Sequence, residues 1–257
     1  MKESEDLQLA IDAAKCGGKI VSDGFGNIKE IVEKEDAGFV TDIDKASEAA
    51  IISLLTEHSE YSIVAEESGR MGNSESYWVI DPLDGTTNFS RGIPLFGINI
   101  GLIKQNEVVA AVTFDPAAHA CYWAEKGFGA FQDGKSIHVS EKNNLAESII
   151  FVSQGYDAES KGAIAQCVSR LNTSCSIRKL GTSAIELCHI ASGRADAFIN
   201  GGDELWDYGP GLLLVKEAGG VVTDWRGKDL AIKDNYLIAS NGKLHDLISK
   251  QIAEFQS

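Results

Sequence analysis

The sequence predicts an α/β (α+β) protein: an antiparallel sheet in its first half and a mostly parallel, helix-covered sheet in its second. Two stretches carry that prediction. From Phe96 to Val139, strand-like runs alternate with Gln-Asn, Asp-Pro, Lys-Gly and Asp-Gly turns, which is the pattern of an antiparallel meander. Beyond about residue 146, short apolar runs alternate with amphipathic ones, the strand–helix alternation of a parallel sheet. No flexible linker separates the halves, so residues 1–143 and 144–257 are expected to form one compact unit.

In chain order, Leu7, Ala10, Ile11, Ala14, Gly18 and Val21 fall on one helical stripe, predicting a helix over residues 4–22. DIDKASEAAIISLLTEH is a second helix, with Ala46, Ala50, Ile51, Leu54 and Leu55 as its apolar face and Asp44 as its N-cap. YSIVAEESG and SYWVIDPLDG are short strands that run into acidic turns. After the meander come a strand ESIIFVS, a helix KGAIAQCVSRL, a strand CSIRKL and a helix Ser183–Ala191 with Ser183 and Glu186 at capping-box spacing. DAFIN, VVTDW and YLIAS read as strands, YGPGLLLVKEAGG and KLHDLISKQIAEF as helices.

The net charge of −15 argues against nonspecific nucleic-acid or anionic-membrane binding, since both need cationic surface. Five scattered cysteines without a C-x-x-C pair exclude a disulfide framework and a zinc site as first readings. The acidic, amphipathic start is unlike a secretion signal, and a cytoplasmic location is expected. GAFQDGKS fits the phosphate-binding pattern G-x-x-x-x-G-K-[ST]. However, Ser136 to Ser140 alternates like a strand and Asp133-Gly134 is a hairpin signal, so a hairpin is expected there.

The chemistry concentrates in WVIDPLDGTTNFSRGIP. A buried strand runs into Asp81 and Asp84, which flank the stiffening Pro82. Gly85 permits close backbone approach, and Thr86-Thr87 offers hydroxyls and N–H groups suited to an anion. An Asx-turn at a strand end is the plain alternative for this segment. Glu66 ends the preceding strand fifteen residues earlier and would emerge beside Asp81 if the two strands pair. Asp207 sits at a helix start, where an ordinary N-cap is the plain reading. Hard oxygen ligands without a His or Cys cluster suit Mg²⁺ or Mn²⁺ rather than Zn²⁺.

Glu66-Glu67-Ser68, the run Asp81 to Phe89, Trp206-Asp207 and Glu217-Ala218-Gly219-Gly220 together resemble the inositol monophosphatase family of Mg²⁺-dependent, lithium-sensitive-type phosphatases. Val40 to Asp44 and Gly181-Thr182-Ser183 extend the likeness nearly end to end. The resemblance implies an αβαβα layered sandwich with the active site between the two halves, and a homodimer. It implies two to three Mg²⁺: one held by Glu66, Asp81 and the Leu83 carbonyl, one between Asp81, Asp84 and Asp207, and a weaker third near Glu66. It further implies catalysis by Thr86, Asp44 and Glu66, and substrate contacts from Asp84, Gly85, Thr86, Thr87, Gly181, Thr182, Ser183, Asn200 and Asp207. Lys34 falls where some bacterial relatives carry a loop lysine near the metals.

The chain also departs from the family pattern. Animal members place a Glu seven residues before the last metal Asp, against the inositol hydroxyls, where this sequence has Asn200. Tyr208-Gly209-Pro210-Gly211 follows Asp207 where small residues are more usual. The expected substrate is a small-molecule phosphate ester, inositol monophosphate first. Fructose 1,6-bisphosphate, histidinol phosphate and NADP are the alternatives within the scaffold, and a regulatory binding role is the alternative outside it.

Overall fold

A computed structural model describes residues 3–33 and 38–253; Lys34 lies outside the described residues. Helix α1 (Glu5–Gly24) is capped by Ser4, whose hydroxyl accepts from the Leu7 N–H at 3.1 Å. Strands β1 (Ile31–Glu33) and β2 (Phe39–Thr41) make a small antiparallel ribbon that leads into α2 (Asp42–His58). The N-cap of α2 is Thr41, not Asp44 as expected. Asp44 is the third helical residue, and its carboxylate accepts the Thr41 N–H in a reciprocal capping box. The buried face of α2 is Asp44, Ser47, Glu48, Ile51 and Leu55, whereas Ala46 is exposed. Three polar residues therefore take positions that an apolar stripe would be expected to fill.

Next come β3 (Ser62–Ala65), β4 (Gly69–Met71), β5 (Tyr77–Asp84) and the five-residue α3 (Thr86–Ser90). The meander follows as β6 (Gly97–Lys104), β7 (Glu107–Asp115), β8 (Ala120–Glu125), β9 (Gly129–Gln132) and β10 (Lys135–Ile137). GAFQDGKS is the β9–β10 hairpin. Asp133 and Gly134 both have positive φ, 49° and 77°, the signature of a tight two-residue turn. The large sheet has the order β10-β9-β8-β7-β6-β5-β3-β4, antiparallel throughout except for the parallel pair β3/β5.

The second half comprises β11 (Ile149–Gln154), α4 (Ala158–Leu171), β12 (Ser176–Arg178), α5 (Ser183–Ala191), β13 (Ala197–Gly201), α6 (Leu205–Glu217), β14 (Val221–Asp224), β15 (Tyr236–Ser240) and α7 (His245–Ala253). Its sheet has the order β12-β11-β13-β15-β14. β11 runs parallel to β12 and β13, but β15 runs antiparallel to both β13 and β14. The sheet is thus evenly mixed rather than mostly parallel. No helix lies between β14 and β15, so the chain turns straight back and β15 inserts beside β13 in the opposite sense.

Three apolar clusters define five layers. α1 and α2 cover one face of the large sheet, α5 and α6 fill the space between the sheets, and α4 and α7 cover the outer face of the small sheet. This αβαβα order explains why eight of the nine residues of α5 are buried: a helix between two sheets has no solvent face. No helix among the described residues is long and apolar enough to cross a membrane.

Candidate active site

Parallel pairing of β3 with β5 brings their carboxyl ends together. The Glu66 N–H donates to the Ile80 carbonyl at 3.1 Å, so Glu66 emerges beside Asp81, as the strand pairing required. The β5 register against β6 then shifts between Asp81 and Asp84. Pro82 lies in that irregularity, where a residue without an N–H is tolerated inside a sheet. The Pro82 carbonyl accepts from Ser47 Oγ at 2.9 Å, and Asp81 Oδ1 accepts the Leu83 N–H at 3.0 Å. Gly85 ends the segment at φ 89°, and a Cβ there would lie 2.9 Å from the Leu95 carbonyl. That turn sends the chain directly into Thr86.

From the other half, Thr182 caps α5, one residue before the expected Ser183. Its hydroxyl and the Ala184 N–H both donate to Asp84 Oδ2, at 2.6 and 2.7 Å. The segment before α5 is held at two points. Asn88 Nδ2 donates to the Leu180 carbonyl at 2.8 Å, and Glu186 accepts the Leu180 N–H at 2.6 Å rather than closing a box with Ser183. Glu186 is fully buried, and burial raises its carboxyl well above the usual range.

Asp207 is the third residue of α6, not its N-cap, and accepts the Glu204 N–H at 2.7 Å. Pro210 stands in the second turn of α6 and cannot donate to the Trp206 carbonyl. Asn99, buried on β6, supplies the missing donor: its Nδ2 lies 2.7 Å from the Trp206 carbonyl and 2.9 Å from that of Asp207. The start of α6, and Asp207 with it, is thereby tied to the large sheet.

Carboxylate oxygens of Asp81, Asp84 and Asp207 all lie within 4.8 Å of one another. None of the ion pairs among the described residues involves them. Burial, then the charges of Glu66, Asp84 and Asp207, pushes Asp81 well above the usual carboxylate range. Burial raises Asp84 to about 7, and burial with the charge of Asp203 raises Asp207 strongly. Three converging carboxylates, of which Asp81 and Asp84 are buried and Asp207 half-buried, repel one another and any phosphate when no cation is bound. A hard divalent cation fits this all-oxygen donor set and cancels that repulsion.

Next to the cluster, Thr86 Oγ1 lies 2.8 Å from Asp44 Oδ1 and 2.9 Å from the Leu83 carbonyl. The other Asp44 oxygen accepts from the Thr41 hydroxyl and N–H. Asp44 is fully buried, and that burial raises its pKa. Glu48, also buried, accepts the Glu67 N–H at 2.9 Å and fixes the turn after Glu66.

The model of the inositol monophosphatase family matches residues 2–257. The chain belongs to that family. Its members are phosphoric monoester hydrolases, and they depend on a metal, typically Mg²⁺. The chain is 36% identical to an inositol monophosphatase of Dictyostelium discoideum, over 96% of this chain and 95% of that one. It is 34% identical to a fructose-1,6-bisphosphatase/inositol-1-monophosphatase of Aquifex aeolicus, over 94% and 93%. Among solved structures, the extragenic suppressor protein suhB of Bartonella henselae superposes with a TM-score of 0.91 at 30% identity, covering 97% of this chain and 98% of that one.

Against this inositol monophosphatase fold, Glu66, Asp81, Leu83, Asp84, Gly85, Thr86, Asp44, Thr182 and Asp207 gather in one place, and Ser183 and Gly181 border it. Asn200 is placed differently. It is fully buried, and its Nδ2 donates to the Asn235 carbonyl at 2.9 Å. Sequence reasoning gave no place to Ser47, Glu48, Asn99 and Asp203; Thr41 and Asn88 entered it only inside the Val40–Asp44 and Asp81–Phe89 runs, and Glu186 only at capping-box spacing. The signals for the others were a polar residue at an apolar helical position for Ser47 and Glu48, and an acid inside FINGGDELWD for Asp203.

Proposed function

We propose that this chain is a Mg²⁺-dependent phosphomonoesterase for a small polyol or sugar phosphate, inositol monophosphate first. The carrying observation is the convergent Asp81–Asp84–Asp207 cluster beside the Thr86–Asp44 pair. Glu66, Asp81 and the Leu83 carbonyl would hold one Mg²⁺, Asp81, Asp84 and Asp207 a second, with a weaker third near Glu66. Bound Mg²⁺ supplies charge neutralisation of the phosphate, acidification of water and stabilisation of the leaving alkoxide.

The protein's own part is positioning and proton transfer. With its hydrogen on Asp44 rather than on the Leu83 carbonyl, Thr86 would keep oxygen lone pairs free to accept from a water. As that water's oxygen bonds phosphorus, its proton passes to Thr86 Oγ1 and the Thr86 proton passes to Asp44. The ester P–O bond breaks, and the alkoxide takes a proton from solvent. Burial makes Asp44 a better acceptor than an exposed carboxylate. N–H groups of Gly85, Thr86 and Thr87 would face the phosphate. The two halves, 1–143 and 144–257, would act as one unit with the site between them, in a homodimer.

A panel of esters tests this reading: inositol 1-phosphate, fructose 1,6-bisphosphate, histidinol phosphate and NADP, each with Mg²⁺, with Mn²⁺ and with EDTA. Mg²⁺-dependent release, fastest from inositol 1-phosphate, is expected. Preference for the bisphosphate would favour the related activity that the name of the Aquifex relative also carries. No release from any ester by folded protein would favour a binding role.

A further inference from the structure

The first turn of α5 serves two carboxylates. Thr182 and Ala184 hold Asp84, and Ser183 between them turns its hydroxyl the other way, onto Asp203 Oδ2 at 2.8 Å. Asp203 follows β13 by two residues, so the carboxyl end of β13 and the amino end of α5 meet there. Sequence patterning hid this, because Asp203 belongs to the loop between β13 and α6 and lies in no metal-ligand spacing.

Asp203 stands apart from the metal cluster and yet acts on it. Its charge is felt by both Asp84 and Asp207. Asp203 is only partly buried, whereas Asn200 is fully buried and spends its Nδ2 on the Asn235 carbonyl, leaving only its Oδ1 without a partner. The alcohol of a phosphate seated at the cluster would extend past the first turn of α5, where Asp203, held by Ser183, offers a half-exposed carboxylate acceptor. A carboxylate acceptor suits an alcohol that carries hydroxyls next to its ester oxygen, and offers nothing to an apolar alcohol.

We infer that Asp203, held by Ser183, is the specificity-determining residue of this site and selects polyhydroxylated alcohols by accepting their hydroxyl hydrogens. The inference rests on the phosphatase reading above. It locates the recognition of the alcohol in this chain at residue 203 and not at Asn200.

The test compares myo-inositol 1-phosphate with phenyl phosphate, whose alcohol has no further hydroxyl, at saturating Mg²⁺. For Asp203→Asn, the ratio of kcat/KM for the inositol ester to that for the phenyl ester should fall about tenfold, through KM for the inositol ester. Ser183→Ala, which frees the carboxylate without removing it, should move the ratio the same way by a smaller factor. This second variant carries the test if Asp203→Asn does not fold. Parallel losses on both esters, or an unchanged ratio, would overturn the assignment while leaving the phosphatase reading intact. Wild-type protein that releases phosphate from neither ester would overturn both.

Discussion

Thr86 Oγ1 donates to Asp44 Oδ1 over 2.8 Å, joining residues forty-two positions apart at the edge of the carboxylate cluster. The same hydroxyl lies 2.9 Å from the Leu83 carbonyl, and with its hydrogen on Asp44 it can relay a proton to that carboxylate. Substituting Thr86→Ala removes that relay without touching any proposed metal ligand side chain. We expect kcat to fall by about 100-fold or more, with KM and the Mg²⁺ requirement little changed. Steady-state kinetics on a single ester checks this. A KM effect with normal kcat would assign Thr86 to binding only.

The aspartates make the metal-free protein sensitive to pH in an unusual direction. Their folded-state pKa values lie above the unfolded ones, so the folded chain holds more protons than the unfolded chain. Stability contributed by these groups is complete below about pH 4 and is lost as pH rises toward about 7, the value for Asp84. Thermal unfolding in EDTA should show the cluster lowering Tm across that window, on the order of 5–10 °C. Excess Mg²⁺ should restore the loss, with a larger effect at pH 8 than at pH 5 on roughly that titration range. An equal Mg²⁺ effect at both pH values would contradict a cation seated among these carboxyls.

Gly85 carries both positive φ and a close approach to the Leu95 carbonyl. Gly85→Ala should cost about 1–2 kcal/mol from the left-handed backbone alone, with the close contact adding to it. Because the turn launches Thr86, activity should fall further than the lost stability explains at a temperature where the variant is folded. Denaturant unfolding and an activity assay on the same sample separate the two effects.

Asn99 holds the carbonyls of Trp206 and Asp207 and accepts from the Thr113 hydroxyl at 2.7 Å. Asn99→Leu leaves the carbonyl freed by Pro210 without a donor and should destabilise the protein by about 2 kcal/mol. It should also raise the Mg²⁺ concentration needed for half-maximal activity, since Asp207 loses its tether to the large sheet. Urea unfolding and a Mg²⁺ titration check the two parts.

Much of this site was legible along the chain where neighbours in sequence are neighbours in space. Asp81, Asp84, Gly85 and Thr86 lie on one strand end and its turn, and Glu66 reaches them through a single parallel pairing. The residues that hold them were not legible, because their partners come from distant elements. Asn99 answers a proline more than one hundred residues away, and Asn88 and Glu186 clamp the Leu180 peptide from two sides. The face of α2 was misassigned for a related reason. Apolar periodicity assumes that buried positions are apolar, and Asp44, Ser47 and Glu48 are buried because the site needs them. Three helix caps, on α2, α5 and α6, fell before the expected residue, and two of them share a cause. On α2 and α5 a threonine caps while Asp44 or Ser183 is engaged elsewhere, with Thr86 and with Asp203 respectively.

The most direct measurement is phosphate release from myo-inositol 1-phosphate against Mg²⁺ concentration, for the wild type and for Asp207→Asn. The account predicts Mg²⁺-dependent release that EDTA abolishes, and a variant that stays folded but loses about 100-fold or more in rate. Release that persists in EDTA, or a variant with the wild-type Mg²⁺ response, would contradict the carboxylate cluster as the seat of the reaction.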